Sequence, residues 1–159
     1  GGRHAEAARH FEVALAANAR APPAERVSDA ATCNLAALAV RDAAGAAAAL
    51  PVFDAALRRH PADLALLVNA ALARHDAGDA AGAVWLCGEA LRQHPGSPEA
   101  ATNLGWLRES GGDLAAAHEL YRRAVGMTGP ARALPQLLVN LQNIRIRLGL
   151  PPDADDGDG

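Results

Sequence analysis

The chain repeats itself at a fixed interval. Asn69 matches Asn103, Ala71 matches Gly105, and Gly78-Asp79 matches Gly112-Asp113, each pair offset by 34 residues. At the same offset, Ala83, Cys87 and Ala90 match Ala117, Tyr121 and Ala124. Within the clearest stretch, Pro98 to Gly129, two helical patterns meet at Gly112-Asp113. Ala101, Leu104, Gly105 and Arg108 recur every three or four residues before that pair, and Ala117, Leu120, Tyr121, Ala124 and Val125 do so after it. Neither helix is long enough to hold by itself, so each must bury its stripe on a neighbour. A chain that supplies the neighbours by repeating the pattern builds a continuous layered core, without the single centre of an ordinary domain of its length.

The repeated unit resembles the tetratricopeptide-repeat (TPR) family. The residues that carry the likeness are Asn103-Leu104-Gly105, Gly112-Asp113, Ala117, Tyr121 and Ala124-Val125, with the closing proline present as Pro95 in the preceding unit. The resemblance implies an all-α, right-handed superhelical solenoid of antiparallel helix pairs, with about eight helices. These are expected near 3–17, 24–42, 46–60, 62–76, 80–94, 98–110, 114–127 and 131–148. The array would occupy 1–150, as a half repeat over 1–18, repeats at 24–61, 62–97 and 98–130, and a final helix over 131–149. Residues 151–159, with the sequence PPDADDGDG from Pro151, form an acidic tail too poor in apolar residues to order itself.

The units are unequally regular. Ala7, Phe11, Ala14 and Leu15 fit the second helix of a repeat, so the chain is expected to open halfway through a unit, as a piece of a longer array would. Ala21-Pro22-Pro23 lies in a connection longer than the period allows. In the next unit Asn34-Leu35-Ala36 takes the Asn-Leu-Gly place, and Ala49, Phe53, Ala56-Leu57 and Pro61 follow. Pro51 falls inside the expected second helix there, which predicts a kink or a helix starting near Leu50. Gly78 and Gly112 should end first helices in a left-handed conformation, with Asp79 and Asp113 capping the second helices and Ser97 capping the helix that Pro98 opens. The alanines Ala83, Ala90, Ala117 and Ala124 should be buried where helices approach most closely.

Composition narrows the function classes. All 15 basic residues are Arg, a bias expected of a GC-rich, bacterial genome, and the missing Lys excludes Schiff-base and phosphate-loop chemistry within the segment. A net charge of −3 offers no basic footprint for nucleic acid. No apolar run approaches a membrane span, and Gly1-Gly2-Arg3-His4 is no signal peptide, so a cytoplasmic protein without membrane contact is expected. Cys33 and Cys87 lie in different repeats without C-x-x-C spacing and read as buried free thiols. Of six histidines, His60 and His94 precede the Pro that closes a unit, where they favour a helix C-terminus. His118-Glu119 stands alone and there is no H-E-x-x-H, so neither a metal nor a cofactor is expected. Glu109, Asp113 and Glu119 are a cap and solvated faces before they are an acid/base set, and an enzyme is not expected.

The recurring Asn of the first helices is the informative set: Asn34, Asn69, Asn103 and Asn140. As the resemblance implies, first helices line the concave side of the superhelix. The series is similar to the asparagines in the TPR region of O-linked N-acetylglucosamine transferases, which hold the backbone of an extended polypeptide. An amide can both donate to and accept from one peptide unit, yet the same Asn can also bond to a neighbouring helix. Trp106, one turn beyond Asn103, either anchors a ligand or packs onto the adjacent unit. Thr102, Glu109, Asn143 and Arg147 complete the candidate groove, and Arg41, His75 and Asp76 fall near its rim. Trp85 is out of phase with its helix's buried stripe and marks a convex face. The Lys and Arg cluster of TPRs that clamp a C-terminal carboxylate is missing. The expected function is a scaffold that grips an extended peptide or helix of a protein partner. The alternatives are a substrate-recruiting or regulatory segment of a larger enzyme (of glycosyltransferase, sulfotransferase or hydroxylase type) and an assembly module that associates through its open ends.

Overall fold

Helix follows helix through the whole of the described chain. The computed structural model describes residues 2–22 and 28–151, with side chains at 9, 12–22, 28–130 and 132–151. Eight α-helices and one 3₁₀ turn occur among them: α1 (Gly2–Arg20), α2 (Asp29–Ala44), α3 (Ala46–Arg59), α4 (Leu64–Asp76), α5 (Ala80–Gln93), α6 (Pro98–Ser110), α7 (Leu114–Thr128), η1 (Pro130–Arg132) and α8 (Pro135–Leu148). There is no strand among the described residues. The expected second helix began at 24, whereas α2 begins at Asp29 behind a Ser28 cap, its hydroxyl accepting from the Ala31 N–H at 3.1 Å. The expected final helix began at 131, but Pro130–Arg132 forms the 3₁₀ turn and α8 opens at Pro135, a residue suited to a first turn. The side chains of Ala7 and Phe11, on which their expected roles rest, lie outside the described ones, as do Pro23 and the tail from Pro152 altogether.

Two compact units divide the chain, Gly1–Ala90 and Leu91–Gly159, with the boundary inside α5. In the first, α2 packs on α1, α3 and α4, and α3 also packs on α1 and α4. α1 and α2 thus each touch the next helix and the next but one, which is the contact pattern of stacked helix pairs. In the second, α7 packs on α6, η1 and α8.

The turns follow from local chemistry. Gly78 and Gly112 adopt φ of +90° and +85°, the positive region that a Cβ disfavours. Asp79 then accepts from the Gly82 N–H at 2.8 Å and Asp113 from the Ala116 N–H at 3.2 Å. Ser97 caps α6 through the Ala100 N–H at 3.1 Å, and Asp63, unremarked in the sequence, caps α4 through Leu66 at 2.9 Å. The Gly82 N–H and the Arg74 guanidinium together hold Asp79 below the usual carboxylate range. Arg74 spans two second-helix elements, reaching Asp54 at 2.7 Å and Asp79 at 2.9 Å.

The core is built of small side chains with one large residue set between them at intervals. Ala83, Ala90, Ala117 and Ala124 are fully buried, as are Phe53, Cys87 and Tyr121, which share one position of successive second helices. Gly105 shows why its place is small. A Cβ there would stand 2.7 and 2.8 Å from two ring carbons of Tyr121, too close for any real contact.

Pro51 corrects the sequence expectation. Of the two alternatives, the late start near Leu50 is overturned: the helix runs from Ala46 to Arg59, over the expected span, with Pro51 inside it. Pro51 sits early in the helix and its ring is exposed, while the next two residues, Val52 and Phe53, are buried. Burying those two side chains outweighs one missing backbone hydrogen bond. Pro51→Ala should therefore raise stability by about 1–3 kcal/mol in a urea melt, the helix gain being offset in part by a freer unfolded chain. A variant less stable than the parent would show that the ring itself packs.

Candidate functional site

The four asparagines of the first helices occupy one equivalent place. Asn34, Asn69, Asn103 and Asn140 are each the sixth residue of α2, α4, α6 and α8. All four are half-buried. Their amides are engaged differently in the two units.

In the first unit Asn69 Nδ2 donates to Asn34 Oδ1 at 3.0 Å, so the two amides form a rung between α2 and α4. That bond uses one valence of each and leaves Asn34 Nδ2 and Asn69 Oδ1 without a partner among the described residues. Further along the same helices Arg41 meets Asp76 at 2.7 Å. The two rim charges cancel each other.

In the second unit Asn103 Nδ2 donates to the carbonyl of Glu99 at 3.0 Å, one turn back in its own helix, and its Oδ1 has no partner among the described residues. Thr102 likewise turns its hydroxyl to the Pro98 carbonyl at 2.7 Å. Asn140 Oδ1 accepts from Gln136 Nε2 at 2.8 Å. Trp106 is half-buried and engaged within the chain, whereas Asn143 is exposed. Glu109 is committed on both sides, accepting from the Tyr121 hydroxyl at 3.0 Å and from Arg147 at 2.7 Å. Burial, and then the hydrogen bond to Glu109, push the Tyr121 hydroxyl far above its ordinary pKa, so it acts as a neutral donor that fixes the carboxylate. Here too the candidate rim charges, Glu109 and Arg147, neutralise one another.

The two cysteines are fully buried thiols. Cys33 nevertheless has polar company. Asp29, four residues earlier on α2, and His60, at the end of α3, bring a carboxylate oxygen, the thiol sulfur and an imidazole nitrogen within 4.8 Å of one another. His60 Nε2 lies 2.9 Å from Asp29 Oδ2, which also accepts from Arg59 at 2.8 Å. Those contacts hold Asp29 below the usual carboxylate range, His60 first. Sequence spacing shows only the Asp29/Cys33 pair, at helical separation. His60 arrives by tertiary packing, and at a helix end it reads as a partner of the dipole. Among the described residues no helix is long and apolar enough to cross a membrane.

No family model and no curated protein matches the sequence. Solved structures do match the fold. The Sgt2 TPR domain from Aspergillus fumigatus superposes with a TM-score of 0.70 at 21% identity, covering 84% of this chain and 93% of its own. The first TPR of Spaghetti (RPAP3), bound to the HSP90 peptide SRMEEVD, gives 0.68 at 18% identity, covering 76% and 93%. The type III secretion translocator chaperone SycD of Yersinia enterocolitica gives 0.68 at 13%, covering 77% and 87%. The chain is an all-α helical-repeat protein, and its fold is that of the tetratricopeptide-repeat domains.

Proposed function

We propose that the chain is a protein-interaction scaffold whose first helices take the backbone of an extended peptide along the asparagine series. The observation that carries this is the repetition of one amide at the sixth place of α2, α4, α6 and α8 with hydrogen-bonding capacity left over at Asn34, Asn69 and Asn103. A folding requirement alone would be met by apolar residues, because a half-satisfied amide contributes little to stability. Extended peptide advances about 3.3 Å per residue and packed helices lie about 8–10 Å apart, so the amides of Asn34 and Asn69, on the packed helices α2 and α4, would meet a peptide about three residues apart. The peptide seated in the Spaghetti TPR makes peptide capture a use to which this fold is put.

The cancelled rim charges, Arg41 with Asp76 and Glu109 with Arg147, shape the expected ligand. No free basic cluster remains among these candidates to clamp a terminal carboxylate, so recognition rests on internal backbone, with Trp106 supplying an apolar contact. Thr102, Asn140, Asn143 and Arg147 would border the same path.

Peptides enriched from a random display library against the parent protein provide the test. Asn69→Ala combined with Asn103→Ala removes two to four backbone hydrogen bonds at about 0.5–1.5 kcal/mol each, so binding should weaken roughly ten-fold or more by fluorescence polarisation. The rank order of the peptides should persist, since backbone contacts do not read side chains. Unchanged affinity in a folded double variant overturns the proposal and moves attention to Trp85, which is exposed on α5. A second reading, self-assembly, draws on α8, where Val139 and Ile146 are exposed apolar residues. The double variant would leave such assembly intact.

A further inference from the structure

We propose that Asp29, Cys33 and His60 form a binding site for zinc(II), holding it by one carboxylate oxygen, the thiolate and an imidazole nitrogen, with a fourth position open to solvent. Among the described residues this is the only group of three or more His, Cys, Asp and Glu side chains gathered closely enough for a metal ion. The donor set is sulfur, nitrogen and oxygen, the mixture that a borderline-soft ion accepts and that calcium or magnesium does not. One carboxylate, one thiolate and a neutral imidazole carry two negative charges, which match a divalent cation.

The backbone positions are fixed before any metal arrives. Asp29 opens α2 behind the Ser28 cap, and Cys33 lies one turn on, so both side chains share a face. His60 is the C-cap of α3, its own N–H bonded to the Ala56 carbonyl at 2.9 Å. The packing of α2 on α3 brings the three together. Tetrahedral zinc with bonds of about 2.0–2.3 Å sets its ligands roughly 3.3–3.8 Å apart. The donor atoms, now within 4.8 Å of one another, therefore need to close by at most roughly 1–1.5 Å, and His60 Nε2 turns from Asp29 Oδ2, 2.9 Å away, toward the ion. Rotation of Asp29 and His60, both partly exposed, supplies the change.

The hydrogen bonds leave room for the ion. Arg59 and His60 both converge on Asp29 Oδ2, and Oδ1 carries no bond among the described residues. The ion can take Oδ1 while Arg59 stays on Oδ2, an outer partner of the kind that orients a metal-bound carboxylate. Binding expels the Cys33 thiol proton to solvent, and the new S–Zn bond replaces the S–H bond with no change of oxidation state; the proton that His60 Nε2 holds toward Asp29 passes through solvent to Nδ1, so the neutral imidazole ligates through Nε2. Without an ion, burial and then the Asp29 charge hold that thiol protonated. A cation reverses both influences. The three ligands come from the start of α2 and the end of α3, so the ion would act as a clip across that helix pair.

Cobalt(II) is the probe, titrated into metal-free protein at neutral pH. One ion per chain should bind, giving the visible bands of tetrahedral cobalt and a thiolate-to-cobalt charge-transfer band, all displaced by zinc. Cys33→Ser should abolish the charge-transfer band, and His60→Gln should weaken binding at least ten-fold. Cys87→Ser, whose cysteine belongs to no such cluster among the described residues, should leave cobalt binding unchanged. Zinc should also raise the melting temperature of the parent and not that of His60→Gln. Because Cys33 lies in the core and its substitution can disturb folding, alkylation of the parent protein followed by mass spectrometry gives an independent reading. Zinc should slow the labelling of Cys33 and leave Cys87 unaffected. The proposal is overturned if cobalt produces no thiolate band, if the band survives in folded Cys33→Ser, or if zinc leaves the labelling of Cys33 unchanged.

Discussion

Tyr121→Ala is expected to lower folding stability by about 3–5 kcal/mol, the range for emptying the space of a large aromatic residue. Tyr121 is the largest of the fully buried side chains, and its ring fills the space opposite Gly105 while its hydroxyl holds Glu109. Tyr121→Phe keeps the ring and leaves Glu109 paired with Arg147, so it should lose only about 0.5–1.5 kcal/mol. Gly105→Ala attacks the same contact from the other side, placing a Cβ within 2.8 Å of the ring. Overpacking of that kind costs about 1–3 kcal/mol. The preceding repeat shows a second solution, Ala71 and Cys87, both fully buried. Installing that pair, Gly105→Ala with Tyr121→Cys, should cost clearly less than the sum of its single changes, because the smaller residue removes the clash. Additivity within about 0.5 kcal/mol in urea melts would show that the two positions are not matched in size.

The sequence made legible whatever rests on local chemistry. Gly78 and Gly112 announce a positive φ, and Asp79, Asp113 and Ser97 announce caps, because each acts within a few residues of itself. The TPR fold itself was readable from the 34-residue offset, since a recurring stripe must recur in space. The late start offered as one outcome of Pro51 failed for the opposite reason. Its local preference was plain, but the burial of Val52 and Phe53 that overrules it depends on neighbouring helices. The candidate site divides in the same way. The place of the asparagines in their helices was evident, while the rung from Asn69 to Asn34 joins residues 35 apart and the pairing of Arg147 with Glu109 joins residues 38 apart. Whether an amide is open or engaged is decided by such partners, which no single helix pattern contains. His60 was assigned to a helix end, where it does lie, yet its position against Asp29 and Cys33 appears only when α3 is laid on α2.

Phe53→Ala should match Tyr121→Ala in size, about 3–5 kcal/mol, but should damage a different part of the chain. Phe53 is fully buried in α3, which packs on α1, α2 and α4. In a repeat fold each helix rests on its neighbours in sequence, and stability is close to a sum of local terms. Hydrogen exchange should therefore show the amides of α2, α3 and α4 losing protection in Phe53→Ala while those of α6 and α7 keep most of theirs. Tyr121→Ala should show the reverse, with α6, α7 and α8 loosened first. The contrast matters for function. The rung between Asn34 and Asn69 belongs to the first group of helices, and Asn103 and Asn140 belong to the second. A peptide that draws on the whole series should bind weakly to either variant, yet restore protection in the damaged helices when bound, because binding favours the ordered state. If both substitutions instead deprotect every helix equally, the chain unfolds as one cooperative body. Local openings then have no part in how it takes up a partner.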